Sequence, residues 1–180
     1  MEERLAALES RLRVLEDERE IHRIVARYGP LVDTGAADAV AELWTEDGVY
    51  DVDGLYMDGR EGISAMVRSD LHQGFIAGGS AHFQGPVHIT LAGDTAIGSS
   101  YSLMVLHDAG TFEVRRATAH HWRFERTTQG WRVRHRTSRA LNGDDLARGL
   151  LADGVAGRTL DEHEGPFGLG HHAAPAENGG

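Results

Sequence analysis

The second half of the chain constrains the fold most. It holds four strand-like runs, Ala81 to Leu91, Thr95 to Leu106, Phe112 to Arg126 and Trp131 to Leu141. Their separators, Ala92-Gly93-Asp94, Asp108-Ala109-Gly110 and Thr127 to Gly130, are turn chemistry. Strands this long, joined by turns this tight, pair with their chain neighbours as a long, curved antiparallel meander. The residues before them carry helical periodicity. Helices first and a meander last describe an α+β domain whose sheet wraps around the early helices.

Leu5, Leu8, Leu12 and Leu15 recur with 3-4-3 spacing, a heptad seam of about two heptads. Such a seam either docks on its own domain or pairs between subunits. A second apolar set, Ile21, Ile24, Val25, Tyr28, Leu31 and Val32, continues the helix or starts another. Gly29-Pro30 is expected to kink it, and Gly35 to end it. Ala36 to Trp44 reads as a short helix, Val49 to Val52 as a short strand, and Gly59 to Met66 as a turn leading into a helix. Beyond Asn142 glycine and proline accumulate. The expected organisation is a helical extension over 1–18, one α+β domain over 19–142, and a lid or flexible tail over 143–180. Leu146, Leu150, Leu151 and Val155 are expected to form a short helix lying over the mouth of the barrel.

Composition closes off several functions. With 18 basic and 28 acidic residues the formal net charge is −10, which disfavours nonspecific nucleic-acid binding and anionic membrane surfaces. All the basic residues are Arg, so no lysine is present for Schiff-base chemistry. The absence of Cys removes disulfides, thiolate nucleophiles and cysteine zinc sites. No apolar run approaches the roughly 20 residues of a membrane helix. Met1-Glu2-Glu3-Arg4 lacks the apolar centre of a secretory signal, so a cytoplasmic location is expected.

Eleven His leave imidazole and carboxylate as the available reactive groups. Asp33, near a helix end after Tyr28-Gly29-Pro30, either caps the next helix or points into a cavity. His82 opens a long strand after Gly78-Gly79, and alternation places it with Gln84, Pro86 and His88 unless Gly85-Pro86 resets the parity. His107 closes the next strand. His120 and His121 are adjacent in a strand, so only one of them faces inward. His82, His88, His107 and His121, with Asp33, are the candidate metal ligands, but no His-x-x-x-His or His-x-His spacing supports a metal. No phosphate loop or Gly-x-Ser-x-Gly elbow is present, and no cofactor is expected.

Tyr28-Gly-Pro-Leu-Val-Asp33-Thr-Gly, Leu43-Trp44-Thr45-Glu46-Asp47-Gly48-Val49, Ser80-Ala81-His82-Phe83 and Gly130-Trp131-Arg132-Val133 resemble the SnoaL-like branch of the nuclear transport factor 2-like superfamily, over roughly residues 10–142. The resemblance implies a cone-shaped α+β barrel, with N-terminal helices packed in a curved, mostly antiparallel sheet. It implies that Asp33 projects into a conical cavity, that His82 is catalytic as in scytalone dehydratase and bile-acid 7α-dehydratase, and that Tyr28 or His107 completes the acid–base set. Arg139, with Arg136 competing for the role, is placed near an arginine of bile-acid 7α-dehydratase. Tyr50, His121 and Trp44 complete the expected substrate contacts. Ala117 and Ala119 stand where scytalone dehydratase has Ser and Asn, which argues against its substrate. Val105 replaces a functional Asp of bile-acid 7α-dehydratase.

The implied activity is cofactor-free dehydration or isomerisation of a hydrophobic polyketide, steroid or terpenoid. In that reaction Asp33 orients His82 through one ring nitrogen and the other ring nitrogen takes a proton from carbon. Epoxide hydrolysis or polyketide cyclisation is the alternative within enzymes, and a ligand carrier or dimerisation module the alternative outside them. A homodimer or higher homo-oligomer is expected, because Trp122, Phe124 and Val133 are read as apolar residues on the outer sheet face.

Overall fold

The computed structural model describes residues 1–160. The order is α1 (Glu2–Asp33), α2 (Ala37–Ala41), β1 (Trp44–Val52), β2 (Leu55–Asp58), α3 (Gly59–Arg68), α4 (Asp70–Gly78), β3 (Ser80–Gln84), β4 (His88–Ala92), β5 (Thr95–Asp108), β6 (Thr111–Thr127), β7 (Gly130–Ala140) and α5 (Asp145–Val155). The strands form one sheet in the order β2-β1-β7-β6-β5-β3, with β4 also paired to β5. All pairs are antiparallel except β1 with β7. The sheet curves around α1 without closing. This is the expected α+β cone, with an open seam.

Several local readings change. Pro30 does not break α1, which runs on to Asp33. Pro30 lies within the last turn, where little helix remains after the one lost hydrogen bond. The run from Ala81 to Leu91 is two strands, because Gly85-Pro86-Val87 leaves the ladder. Both halves pair with β5, β3 with its far end and β4 with its start. The sequence reading also missed β2. Its signal was Asp53-Gly54, both at positive φ (47° and 91°), as a tight hairpin turn requires.

Ile21, Ile24, Val25, Tyr28 and Val32 of α1 fill the concavity against Trp44, Tyr50, Ile63, Val67, Trp122, Phe124, Trp131 and Val133. The outer-face assignment of Trp122, Phe124 and Val133 is thereby corrected: all three are buried in this core. Trp122 shares the inner face with Arg136, its partner in β7, and Phe124 follows it by alternation; opposite Arg123 and Phe124 the register skips Arg134, which resets the alternation of β7 and turns Val133 inward as well. The midpoint of α1 is fastened by Asp17, which pairs with Arg126 (2.8 and 2.6 Å) and accepts from Trp131 Nε1 (3.0 Å).

The helix expected over the mouth lies elsewhere. α5 packs on the convex side of β5 and β6: Gly154 abuts Ser99, and the Arg158 carbonyl contacts His121 Nε2 at 2.8 Å. The rest of the expected lid or tail lies outside the described residues.

Candidate active site

Asp33 ends α1, and Gly29 lies one turn before it on the same helix face. At Gly29 the helix rests directly on β3. A Cβ there would stand 2.1 Å from the His82 carbonyl oxygen, so only glycine permits this approach. One turn later the Asp33 carboxylate meets the start of β3. Its Oδ2 accepts the His82 backbone N–H at 2.7 Å. Its Oδ1 accepts His82 Nδ1–H at 2.6 Å and the Ser80 hydroxyl at 3.1 Å. Asp33 does not cap α2, whose N-cap residue is Ala36. Burial raises the Asp33 carboxyl, but the bonds from the His82 ring, the His82 backbone and Ser80 outweigh it and hold the group below the usual carboxylate range.

A carboxylate only accepts hydrogen bonds, so in the neutral ring Nδ1 carries the proton and Nε2 keeps a lone pair. Nε2 makes no hydrogen bond among the described residues. The His82 and Asp33 side chains are 15% and 20% exposed, so the pair is half-sheltered and still reachable.

The helix α4 adds a residue that the sequence reading passed over. His72 stacks on His82 with ring centroids 5.3 Å apart and planes 17° from parallel. Its Nε2 is buried without a hydrogen-bond partner among the described residues. Burial, then the neighbouring His82, push His72 below its ordinary value, with Asp33 opposing. Ser69 caps α4 and places His72 in its first turn. That cap was legible in the sequence; the direction the turn faces was not.

Strand register sorts the remaining candidates. Tyr50, Arg136 and Trp122 are cross-strand partners and share the concave face with His120, Ser138 and Ser100. His82 and Gln84 on β3 face the same side, opposite Met104 and Ser102. The Arg136 guanidinium is 1% exposed and lies 4.2 Å from the Tyr28 ring centre, 4.6 Å from Tyr50 and 4.2 Å from Trp122. Its Nη2 contacts His120 Nε2 at 3.1 Å and Gln84 Oε1 at 3.4 Å. Its Nε and Nη1 have no hydrogen-bond partner among the described residues. His120 also contacts Ser138 and Ser102 hydroxyls, both at 2.7 Å. Burial, then Arg136 and Arg116, push His120 well below its ordinary value, so the ring is neutral.

Tyr28 is buried beside this cation. Burial and Tyr50 raise its hydroxyl well above the usual phenol value, with Arg136 opposing, so it stays a donor. Trp44 backs the aromatic group, edge-on to Tyr28 at 5.9 Å, with Nε1 donating to the Val49 carbonyl.

The other expected residues are elsewhere. His121 lies under α5 on the convex face. Arg139 is also on that face, where it holds Asp51 through two bonds of 2.9 and 2.7 Å. His107 is exposed near the end of β5, its ring 5.1 Å from Phe112, an odd step from Met104, the register partner of His82. His88 is exposed as well, its strand β4 cut off from β3 by the Gly85–Val87 break. Among the described residues no three His, Asp or Glu side chains gather as a metal site would. Nor is any described helix long and apolar enough to cross a membrane.

A curved open sheet around one long helix, with polar side chains collected on its concave face, is the cone of the nuclear transport factor 2-like proteins. The chain belongs to the SnoaL-like family: the profile of the SnoaL-like domain matches residues 13–137. It is similar to an NTF2-like protein with a cystatin-like fold from Novosphingobium aromaticivorans, at 44% identity over 82% of this chain and 96% of that one, with a TM-score of 0.81. ActVI-ORFA from Streptomyces coelicolor shares the fold at 22% identity, covering 68% of this chain and 96% of that one (TM-score 0.60). So does a Catenulispora acidiphila protein in complex with S-DNPA, at 20% identity over 72% and 95% (TM-score 0.61). No curated protein matches the chain. Family and fold define a small-molecule-binding or catalytic domain.

Proposed function

We propose that the chain is a cofactor-free acid–base enzyme, a dehydratase or isomerase acting next to a carbonyl of a hydrophobic small molecule. The observation that carries this reading is the 2.6 Å contact from Asp33 to His82 Nδ1. It leaves Nε2 as the base, because the carboxylate, pinned also by the His82 N–H and Ser80, holds the ring in one tautomer and one orientation. Nε2 takes the proton α to the carbonyl, and the resulting negative charge forms on the carbonyl oxygen. Arg136 is the receiving cation. A buried charge left without an anion costs several kcal/mol, and about 0.5–2 kcal/mol from each aromatic face offsets only part of it. Its two unpartnered nitrogens suit an enolate or carboxylate oxygen, and Tyr28 adds a neutral donor beside it. His82 and Gln84 are two residues apart on β3, so base and cation lie roughly 7 Å or more apart along the sheet, the span of a small carbonyl compound. His82, now protonated at Nε2, returns that proton to the leaving hydroxyl, which departs as water. The neutral His72 shields one face of His82 and hydrogen-bonds the departing oxygen through its unpartnered Nε2.

The test is proton exchange in deuterium oxide, followed by NMR, with a panel of hydrophobic β-hydroxy and α,β-unsaturated ketones. Wild type should exchange the α-proton. His82→Ala and Asp33→Asn should each slow exchange about a hundredfold, within the range for one lost acid–base group, with circular dichroism unchanged. Full exchange in both variants would sink the pair. Ligand bound unaltered, with equal affinity in Asp33→Asn, would make the domain a carrier.

A further inference from the structure

Among the described residues, the first half of α1 packs on no other part of its own domain. Residues 1–16 are exposed throughout, and contact with the body begins at Asp17. Leu5, Leu8, Leu12 and Leu15 are 57%, 52%, 55% and 61% exposed. At about 100° per residue, their seam lies nearly opposite the stripe of Asp17, Ile21, Ile24 and Tyr28 that joins the same helix to the sheet. The leucines therefore face away from the described body of their own domain, which disfavours the reading of the seam as a docking face on it.

We propose that this segment pairs in parallel with the same segment of a second copy of the chain, as a short two-stranded coiled coil. Charge selects both the occupant and the direction. With the leucines at positions a and d of the heptad, Arg4 and Arg11 fall at g, and Glu9 and Glu16 at e. In a parallel pair each g faces the e position five residues on in the other helix, so Arg4 meets Glu9 of the second copy and Arg11 meets Glu16. An antiparallel pair sets g against g and e against e, which places Arg beside Arg and Glu beside Glu. The four leucines then interlock with their own counterparts and leave water. Two heptads alone are a marginal helix, but here each is the continuation of a helix already nucleated and anchored by its domain.

The test uses sedimentation of the full chain at micromolar concentration. The wild type should assemble, and Leu8→Glu/Leu12→Glu should sediment at half its mass with unchanged circular dichroism. Reversing the g positions (Arg4→Glu/Arg11→Glu) should weaken assembly by at least about tenfold. Mixing that variant with Glu9→Arg/Glu16→Arg should restore it. Because the chain has no Cys, Leu5→Cys reports direction: a parallel pair brings residue 5 to its own counterpart, and oxidation should link two copies. A monomeric wild type overturns the proposal, as does a mass unchanged by Leu8→Glu/Leu12→Glu. Linkage only in a mixture of Leu5→Cys with Leu15→Cys overturns the parallel direction.

Discussion

Replacing Gly29 by Ala tests how the Asp33–His82 contact is built, without any knowledge of substrate. The added methyl would lie 2.1 Å from the His82 carbonyl oxygen, where a carbon and an oxygen ordinarily stand about 3.3 Å apart. The missing space, about 1.2 Å, must come from helix and strand moving apart, since the obstacle is backbone and not a side chain that can swing away. Asp33 is one turn farther along the same face, so its bonds of 2.6 and 2.7 Å to His82 would open beyond the ~3.2 Å limit of a good hydrogen bond. Overpacking costs about 1–3 kcal/mol and lost charge-assisted bonds, at a partly exposed site, about 1 kcal/mol more. Exchanging Gly for Ala inside a helix returns up to about 1 kcal/mol.

The net is a loss of about 2 kcal/mol, or about 4–8 °C in Tm for a chain of this size. Thermal and urea denaturation measure it, and the hydrogen-bonded Nδ1 proton of His82, seen by nitrogen-edited NMR, should disappear. Gly149→Ala on α5 is the control. Nothing lies within 4 Å of its Cβ position, so the same exchange there should stabilise by about 0.5–1 kcal/mol. A Gly29→Ala protein that melts at or above the wild-type temperature and keeps the Nδ1 resonance would refute the reasoning.

Two of the four arginines of β7, Arg136 and Arg139, should respond with opposite signs. Arg139→Met strands the buried Asp51 carboxylate and should lower stability by about 2–3 kcal/mol in urea, with ligand affinity unchanged. Arg136→Met removes a buried cation lacking an anion and should leave stability equal or higher, while affinity for a carboxylate-bearing ligand falls at least about tenfold by calorimetry. Burial lowers His72, His120, His121 and His135 in the folded state. The unfolded chain takes up these protons near pH 6.5 and the folded one does not, so stability present above that pH is lost as pH falls. The bond from Arg126 lowers Asp17, and Asp33 is lowered too, so both add a further loss below about pH 4. Denaturation midpoints should decline from about pH 6.5 downward, and His120→Asn should flatten the first part of that slope. His72→Phe keeps the stack on His82 but removes Nε2. It should preserve α-proton exchange and slow water loss in the same NMR assay, and equal rates of both would remove His72 from the site.

Local pattern determined much of this protein. Turn residues and strand lengths set the meander, helical periodicity set α1 and its leucine seam, and the contexts of Asp33 and His82 marked them as candidates. These are short-range properties: a turn or a heptad is read within a few residues. What sequence could not decide is which face each strand turns inward. An irregularity at Gly85–Val87 and one at Arg134 each shift the alternation, and one residue of shift exchanges every side chain between core and exterior. Once the faces are set, plain alternation gives the concave side His120 and Arg136 and the other side His121 and Arg139. Trp122 and Phe124 follow His120 into the concavity by alternation, and the irregularity at Arg134 turns Val133 inward beside them. Tertiary packing likewise set the distance from Gly29 to the His82 carbonyl and the direction of the α4 turn that carries His72. Both depend on two segments far apart in the chain meeting in space, a relation that neither segment contains alone.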